Sequence, residues 1–221
     1  MNSSTNSALT HNKIAAIAIG IIGANHAIGL VGLNLDKSRV LFENLSWINL
    51  LLSVVLVLLF HSVRNSGFYI CCALSFAIGM AAEIAGVTTG FPFGAYHYTE
   101  VLGAGSAGVP FIIGLNWILL AYCTAVVLQH VTKNTWLRIG GAALLMTSLD
   151  FLLEPFAIRH NLWVWHNHVP PMQNYLAWFG VALIIQTIYA VLVKEATNKL
   201  AHAYLIILFL FLIADFVLSF F

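Results

Sequence analysis

Long apolar segments constrain this chain more than any other feature of its sequence. An α-helix needs about 20 largely apolar residues to cross the hydrocarbon core of a membrane. Seven segments approach that length, at 14–33, 46–62, 68–88, 109–130, 138–154, 174–193 and 200–220. Hydrophobic residues make up 61% of the 221 residues and charged residues 8%, whereas charged residues form roughly 25% of a typical soluble protein. The sequence therefore predicts an all-α, polytopic transmembrane bundle.

No internal repeat, low-complexity tract or linker divides the sequence, which predicts one membrane-embedded domain over residues 1–221. Residues 1–13 are polar, and a segment of this composition can remain disordered. The net charge of +1 gives no case for nucleic acid, whose binding requires clustered Lys and Arg.

Basic residues predict the orientation, because they favour the cytoplasmic side of a membrane. Alternating spans place six of them on the N-terminal side and three on the other. The six are Lys13, Arg64, Lys133, Arg138, Lys194 and Lys199, and the three are Lys37, Arg39 and Arg159. This predicts a cytoplasmic N-terminus, and we expect the membrane to be a bacterial inner (plasma) membrane.

Two connections are long and rich in aromatic residues, His, Gly and Pro: Thr89–Gly108 and Pro155–Gln173. Alternating spans place both on the side opposite the N-terminus. Non-helical backbone at membrane depth is tolerated only where protein buries it or where it lines a cavity. We therefore expect these loops to lie in the interface or to cover a pocket at one end of the bundle.

Carboxyl groups inside the spans are the first candidates for chemistry, since ionisable residues at membrane depth are usually functional. Asp150 and Glu154 lie four residues apart, which puts them on one helix face. Two carboxyl groups that close in a low dielectric do not both ionise readily, so one is expected to hold a proton and to serve as a general acid. The alternative is that they pair with Arg159 or His160 and stabilise the helix end.

Two further acidic residues lie in the spans. Glu83, in the third span, is either functional or a hydrogen-bonding anchor between helices. Asp215, in the last span, has no charged neighbour in the sequence. We expect Asp215 to face an interface or the lipid boundary, and we rank it below the other three.

Histidines and aromatic residues accompany these acids. His97, His160, His166 and His168 belong to the two loops, but no helical pair of metal-binding spacing occurs among them, so hydrogen bonding or proton transfer is favoured over a metal site. The aromatic residues form either an interfacial belt or a cavity whose π faces stabilise a cation. Those near the acids are Phe93, Tyr96, Tyr98, Trp117, Trp163, Trp165 and Trp178.

At these residues the sequence resembles a known family. The pattern E-x-x-G-x-x-T-G-x-P-F-G-x-Y-x-Y, over Glu83–Tyr98, is followed by the pair Asn116-Trp117. A looser second block contains Asp150, Glu154-Pro155, Trp163-Val164-Trp165, Asn174 and Trp178. Both blocks are similar to the membrane carotenoid biosynthesis protein family, which includes carotenoid 1,2-hydratases of the bisanhydrobacterioruberin and γ-carotene types. Members often carry Asp where this chain has Glu154.

The resemblance implies an enzyme that adds water to the terminal C1,C2 double bond of an acyclic carotenoid ψ end group. A carboxylic acid protonates C2, and water captures the tertiary cation at C1. The implied substrate is lycopene, γ-carotene or a C50 analogue drawn from the bilayer, with no cofactor or metal, and other carotenoid-pathway enzymes are possible partners. The implied catalytic residues are Asp150, Glu154 and Glu83, and the implied substrate-binding or cation-stabilising residues are Trp163, Trp165, Trp117, Trp178, Tyr96, Tyr98, Phe93, Asn116, Asn174 and His26.

Three other functions stay open from the sequence. A carotenoid end-group cyclase, similar to lycopene cyclase, would begin with the same protonation but form a ring instead of adding water. A non-enzymatic carotenoid-binding or transport protein would use the acids as a proton path. A metal-dependent membrane oxygenase is the weakest alternative.

Overall fold

The computed structural model describes residues 2–193 and 196–220, and over these residues the protein is a bundle of seven long helices. All seven contain segments that are long and apolar enough to cross a membrane, so the predicted fold class is confirmed and the chain fits an integral membrane protein. The helices are α1 Asn2–Leu33, α2 Arg39–Leu59, α3 Ser66–Thr89, α4 Phe111–Val131, α5 Thr135–Arg159, α6 Met172–Leu192 and α7 Lys199–Leu218.

Helix boundaries differ most from the predicted spans at three places. The first helix begins at Asn2, so the polar segment that could have remained disordered continues the helix beyond the membrane. The second begins at Arg39 rather than at 46. A span predicted from apolar length stops short of the charged residue Glu43, whereas the helix continues through it and buries it. The fifth ends at Arg159 and contains Pro155, which removes only one backbone N–H from the helical hydrogen bonds near the helix end.

The central helix of the bundle is α4, which packs against α2, α3, α5, α6 and α7. On one side of it, α1 packs against α2 and α7. On the other side, α6 packs against α3 and α5. This arrangement leaves space between the two groups of helices at the end where the long loops lie.

Short strands join the two long loops. The first strand, β1 (Tyr96–Tyr98), pairs antiparallel with the fourth, β4 (Trp163–Trp165), and this pairing sets Tyr96 opposite Trp165 and Tyr98 opposite Trp163. Strands β2 (Gly105–Ser106) and β3 (Val109–Pro110) form a second small pair. The prediction that both loops lie at one end is confirmed, although the sequence did not predict strands in them. Side chains alternate between the two faces of a strand, so the aromatic residues at both ends of β1 and β4 share one face.

Candidate active site

Glu83 is buried on α3 and receives three side-chain hydrogen bonds. The hydroxyl groups of Tyr96 and Tyr98 both donate to one carboxyl oxygen, the latter at 2.8 Å. The indole Nε1 of Trp117 donates to the other oxygen at 3.0 Å. The alternative role of a hydrogen-bonding anchor between helices is therefore confirmed for α3 and α4, and the anchor also reaches the strand β1. The catalytic role stays a prediction.

Burial raises the pKa of the Tyr96 phenol well above its usual range, and the neighbouring carboxyl group of Glu83 raises it further. The same two causes, burial first, raise the pKa of Tyr98. Both phenols therefore keep their protons throughout the physiological pH range and stay hydrogen-bond donors to Glu83.

Glu154 is held by the strand β4. The indole nitrogens of Trp165 and Trp163 donate to the same carboxyl oxygen at 2.8 Å and 3.1 Å. Trp163 and Trp165 are two residues apart in β4, so both indoles lie on the same face of the strand, the face toward α5. The sequence suggested these tryptophans as cation-stabilising π faces, but the contact that the structure defines is a hydrogen bond through the N–H group.

Asp150 lies one helical turn before Glu154, and both are buried. The amide nitrogen of Asn174 donates to Asp150 at 2.8 Å and approaches the other oxygen of Glu154 at 3.4 Å. The prediction that the two carboxyl groups share one helix face is confirmed, because a single amide contacts both. Asn174 is itself 2% exposed, so this contact is shielded from solvent.

The three carboxyl groups line one cavity of about 280 Å³. Its wall on their side, which we call the acid wall, consists of Glu83, Asp150 and Glu154 with Asn174. Predicted site residues that also line the cavity are Phe93, Tyr96, Tyr98, Asn116, Trp163, Trp165, Trp178 and His26. Trp117 instead lies behind the cavity and stacks on Trp178, with ring centroids 4.0 Å apart and planes 16° from parallel.

The opposite wall is formed by α1, α2 and α7 and includes residues that the sequence did not single out. Asn25 on α1 donates to Asn49 on α2 at 2.6 Å, and both line the cavity. His26, next to Asn25, bonds the carbonyl of Ile22 through Nδ1 at 2.8 Å. The sequence feature that could have pointed to Asn25 and Asn49 is the presence of a polar asparagine within each of the first two apolar spans. We call Asn25, Asn49 and His26 the amide wall.

The surroundings of Asp215 differ from those that the sequence predicted. It is buried rather than exposed to an interface or to lipid, and its carboxyl oxygens lie 3.3 Å from Arg159 and 3.0 Å from His160. Arg159 and His160 had been alternative partners for Asp150 and Glu154, so that alternative is wrong. The sequence could not predict the pairing, because α7 and the end of α5 are far apart along the chain.

Among the residues that the structure describes, no group of three or more His, Cys, Asp or Glu side chains is arranged to hold a metal ion. The loop histidines His97 and His166 lie beside each other, with ring centroids 6.3 Å apart. His160 contacts Asp215 through Nε2.

Comparison with known proteins identifies the family of this chain. A family model described as carotenoid biosynthesis protein matches residues 45–221. The bisanhydrobacterioruberin hydratase of Haloarcula japonica is 27% identical over 123 residues, and this alignment covers 52% of the chain and 41% of the hydratase. The chain thus matches less than half the length of that relative. No solved structure matches the chain. Because the family match extends over most of the chain, including the acid wall and both long loops, the chain belongs to the carotenoid biosynthesis protein family.

Proposed function

We propose that the protein hydrates the terminal double bond of an acyclic carotenoid end group and that Asp150 is the proton donor. The observation that carries this proposal is the unequal number of hydrogen-bond donors around the three carboxyl groups. Glu83 receives three side-chain bonds, whereas Asp150, within the described residues, receives one. Donated hydrogen bonds favour a carboxylate over the protonated acid.

Glu154 resembles Glu83 in this respect, since two indole N–H groups and a distant amide face it. Indole nitrogen can only donate, so a proton on the Glu154 oxygen that the two indoles share would oppose both of them. We therefore assign the proton of the cluster to Asp150. The other two carboxyl groups carry the negative charge that a cation in the cavity requires.

The reaction follows from this distribution of charge. The carboxyl proton of Asp150 passes to C2, and the π electrons of the C1,C2 bond form the new C–H bond, which leaves a tertiary cation at C1. A water oxygen donates a lone pair to C1, and the resulting oxonium loses one proton. Asp150 regains a proton through water, so the reaction consumes one water molecule and no net proton.

Aromatic rings beside the acid wall support the cationic step. Trp178 lines the cavity and is fixed from behind by its stack on Trp117, and Phe93 lies against Trp178. Ring faces attract a cation most strongly where water is excluded. The predicted cation-stabilising role therefore belongs mainly to Trp178 and Phe93.

The size of the cavity supports the substrate class. Its volume of about 280 Å³ lies near the lower end of small-ligand pockets, roughly 300–1,000 Å³. It accommodates one end group, and the polyene chain would extend from the cavity into the bilayer. Lycopene, γ-carotene or a C50 analogue has such an end. The name of the Haloarcula relative, a carotenoid hydratase, points the same way.

The test is conversion by purified protein in liposomes that contain lycopene or γ-carotene, with products analysed by mass. We expect a product heavier by one water, labelled when the water is H₂¹⁸O. Asp150→Asn should lower its formation by about 10²–10⁴-fold, the usual contribution of a general acid.

The matched control is Asp36→Asn, because Asp36 is exposed in the connection between α1 and α2. A product of unchanged mass would indicate a cyclase, and bound but unconverted carotenoid would indicate a carrier. Either outcome contradicts hydration. Full activity in Asp150→Asn would contradict the assignment of the acid.

A further inference from the structure

We infer that the amide wall holds the water molecule that captures the cation, so that Asn25 and Asn49 are water-positioning residues. This inference rests on the proposed function. The acid wall supplies a proton, and most of its carboxyl oxygens already accept hydrogen bonds from tyrosine, tryptophan and asparagine donors. A water for the second step requires other polar groups in the same cavity.

The asparagine pair has such groups to offer. An amide carries two N–H donors and one carbonyl acceptor, and the single bond from Asn25 Nδ2 to Asn49 Oδ1 uses one donor and one acceptor. In the described part of the chain, Asn25 Oδ1 and Asn49 Nδ2 make no other hydrogen bond. The carbonyl oxygen of Asn25 and the NH₂ group of Asn49 therefore remain available at the cavity as an acceptor and a donor.

His26 adds a second acceptor. Its Nδ1 must carry hydrogen in order to donate to the carbonyl of Ile22, so Nε2 of the neutral ring accepts. The ring is held by edge contacts with Tyr204 and Phe211. A water at this wall can donate to Asn25 Oδ1 and His26 Nε2 and accept from Asn49, which leaves one lone pair for attack.

The two walls lie at similar depths in the bundle. At 1.5 Å per residue, Asn49 lies about 15 Å from the start of α2 and Asp150 about 14 Å from the end of α5. Both of these helix ends are at the loop side. An end group between the walls would receive its proton from one side and water from the other.

The two serines of α2 that line the cavity have no hydroxyl hydrogen free to donate to this water. Ser46 and Ser53 line the cavity, but their hydroxyl hydrogens bond to the carbonyls of Phe42 and Asn49 within the same helix. The asparagine pair therefore presents the hydrogen-bonding capacity that a bound water needs on this helix.

The test separates protonation from water capture. Asn49→Leu and Asn25→Leu proteins in liposomes are incubated with lycopene in D₂O. Asp150 then delivers a deuteron to C2, and a cation that no water captures returns to the alkene by losing a proton. Because C–H bonds break faster than C–D bonds, deuterium accumulates in the recovered lycopene.

We expect formation of the hydrated product to fall by about tenfold or more, consistent with loss of a hydrogen bond to the water. Deuterium in the recovered substrate should rise above that seen with the wild-type protein. A merely structural loss would lower both signals. Asn44→Leu is the matched control, because Asn44 lies exposed on α2 and bonds only to Val40 of its own helix.

If the Asn25→Leu and Asn49→Leu proteins form as much hydrated product as Asn44→Leu, the water site is wrong. It is also wrong if a variant inserts and unfolds like the control but loses both the hydrated product and the deuterium in recovered lycopene. Asn25→Ser and Asn49→Ser repeat the test with a smaller change if the leucine variants do not accumulate. If the wild-type protein forms no hydrated product, the proposed function itself fails. If the wild-type protein and both asparagine variants all hydrate lycopene, only the water site fails.

Discussion

Three tryptophan indoles donate hydrogen bonds to carboxyl groups inside the bundle, Trp117 to Glu83 and Trp163 and Trp165 to Glu154. In a low dielectric, an unpartnered N–H or carboxylate is strongly unfavourable. Each pair therefore fixes both members. From sequence, a single tryptophan near a membrane boundary is best explained by the interfacial belt, and the hydrogen-bonding role has no local signal.

Replacing Trp117 tests this pairing at the residue scale. Trp117→Phe keeps most of the ring that stacks on Trp178 but removes the donor to Glu83. Leaving a buried carboxyl oxygen without its partner should lower stability by about 1–3 kcal/mol. The measurement is the midpoint of thermal unfolding of the protein in detergent.

Trp136→Phe serves as the control, because Trp136 is 79% exposed at the start of α5. It should unfold at the temperature of the unchanged protein. Equal midpoints for the two variants would mean that the bond to Glu83 contributes nothing measurable to stability.

At the scale of the element, one face of α3 explains how Glu83 meets its partners. Gly79 and Gly86 lie four residues before and three after Glu83, which places all three on one helix face. A Cβ at Gly79 would overlap the side chain of Trp117, and a Cβ at Gly86 would lie 2.9 Å from Phe93. Glycine at both positions lets α4 and the first long loop approach closely enough to reach the carboxyl group.

Gly79→Ala tests this close approach. The added methyl group would overlap Trp117 and separate α3 from α4, so we expect a loss of about 1–3 kcal/mol in stability, typical of overpacking. Conversion of carotenoid should fall too, because Trp117 supports both Glu83 and Trp178. Thermal unfolding and product formation measure the two effects.

Gly140→Ala is the matched control on α5, where an added Cβ meets no atom within 4 Å. Alanine is the better helix former, so this variant should be as stable as the unchanged protein or slightly more so. A Gly79→Ala variant that matches it in stability and activity would contradict the proposed packing constraint.

At the scale of the whole molecule, polar networks join distant helices at both ends of the bundle. At the loop end, Asp215 of α7 bonds to His160 and Arg159 at the end of α5 and to Asn34 after α1. At the other end, Asn198 bonds to Tyr122 of α4. These contacts connect α1, α5 and α7 around the cavity and hold its two walls at a defined separation.

The membrane orientation is a prediction for the molecule as a whole. Ser62, between α2 and α3, and Ser106, in the first long loop, are exposed at opposite ends. With a cytoplasmic N-terminus, Ser106→Cys should react with a membrane-impermeant maleimide in intact cells. Ser62→Cys should react only after permeabilisation.

The unchanged protein provides the background signal, since Cys71 and Cys123 are buried and Cys72 is half-buried. The reverse labelling pattern would place the cavity end in the cytoplasm and contradict the six-to-three count of basic residues.

Much of the fold and part of the site were predictable from local sequence. Apolar length predicted the seven helices, and the spacing of Asp150 and Glu154 predicted their shared face, because both depend on neighbours within one helix. The extension of α5 through Pro155 and the strands β1 and β4 were not predicted. Both depend on contacts with other elements, which outweigh the preferences of the residues themselves.

By itself the sequence determined the class of the molecule and the three carboxyl groups of its cavity, since apolar length and residue spacing are local properties. Only the tertiary structure decided which partner each polar group has. Glu83 and Trp117 are 34 residues apart, and Asp150 and Asn174 are 24 apart. Because hydrogen bonds in an apolar interior are satisfied by whichever helices pack together, these partners are fixed by the arrangement of the bundle.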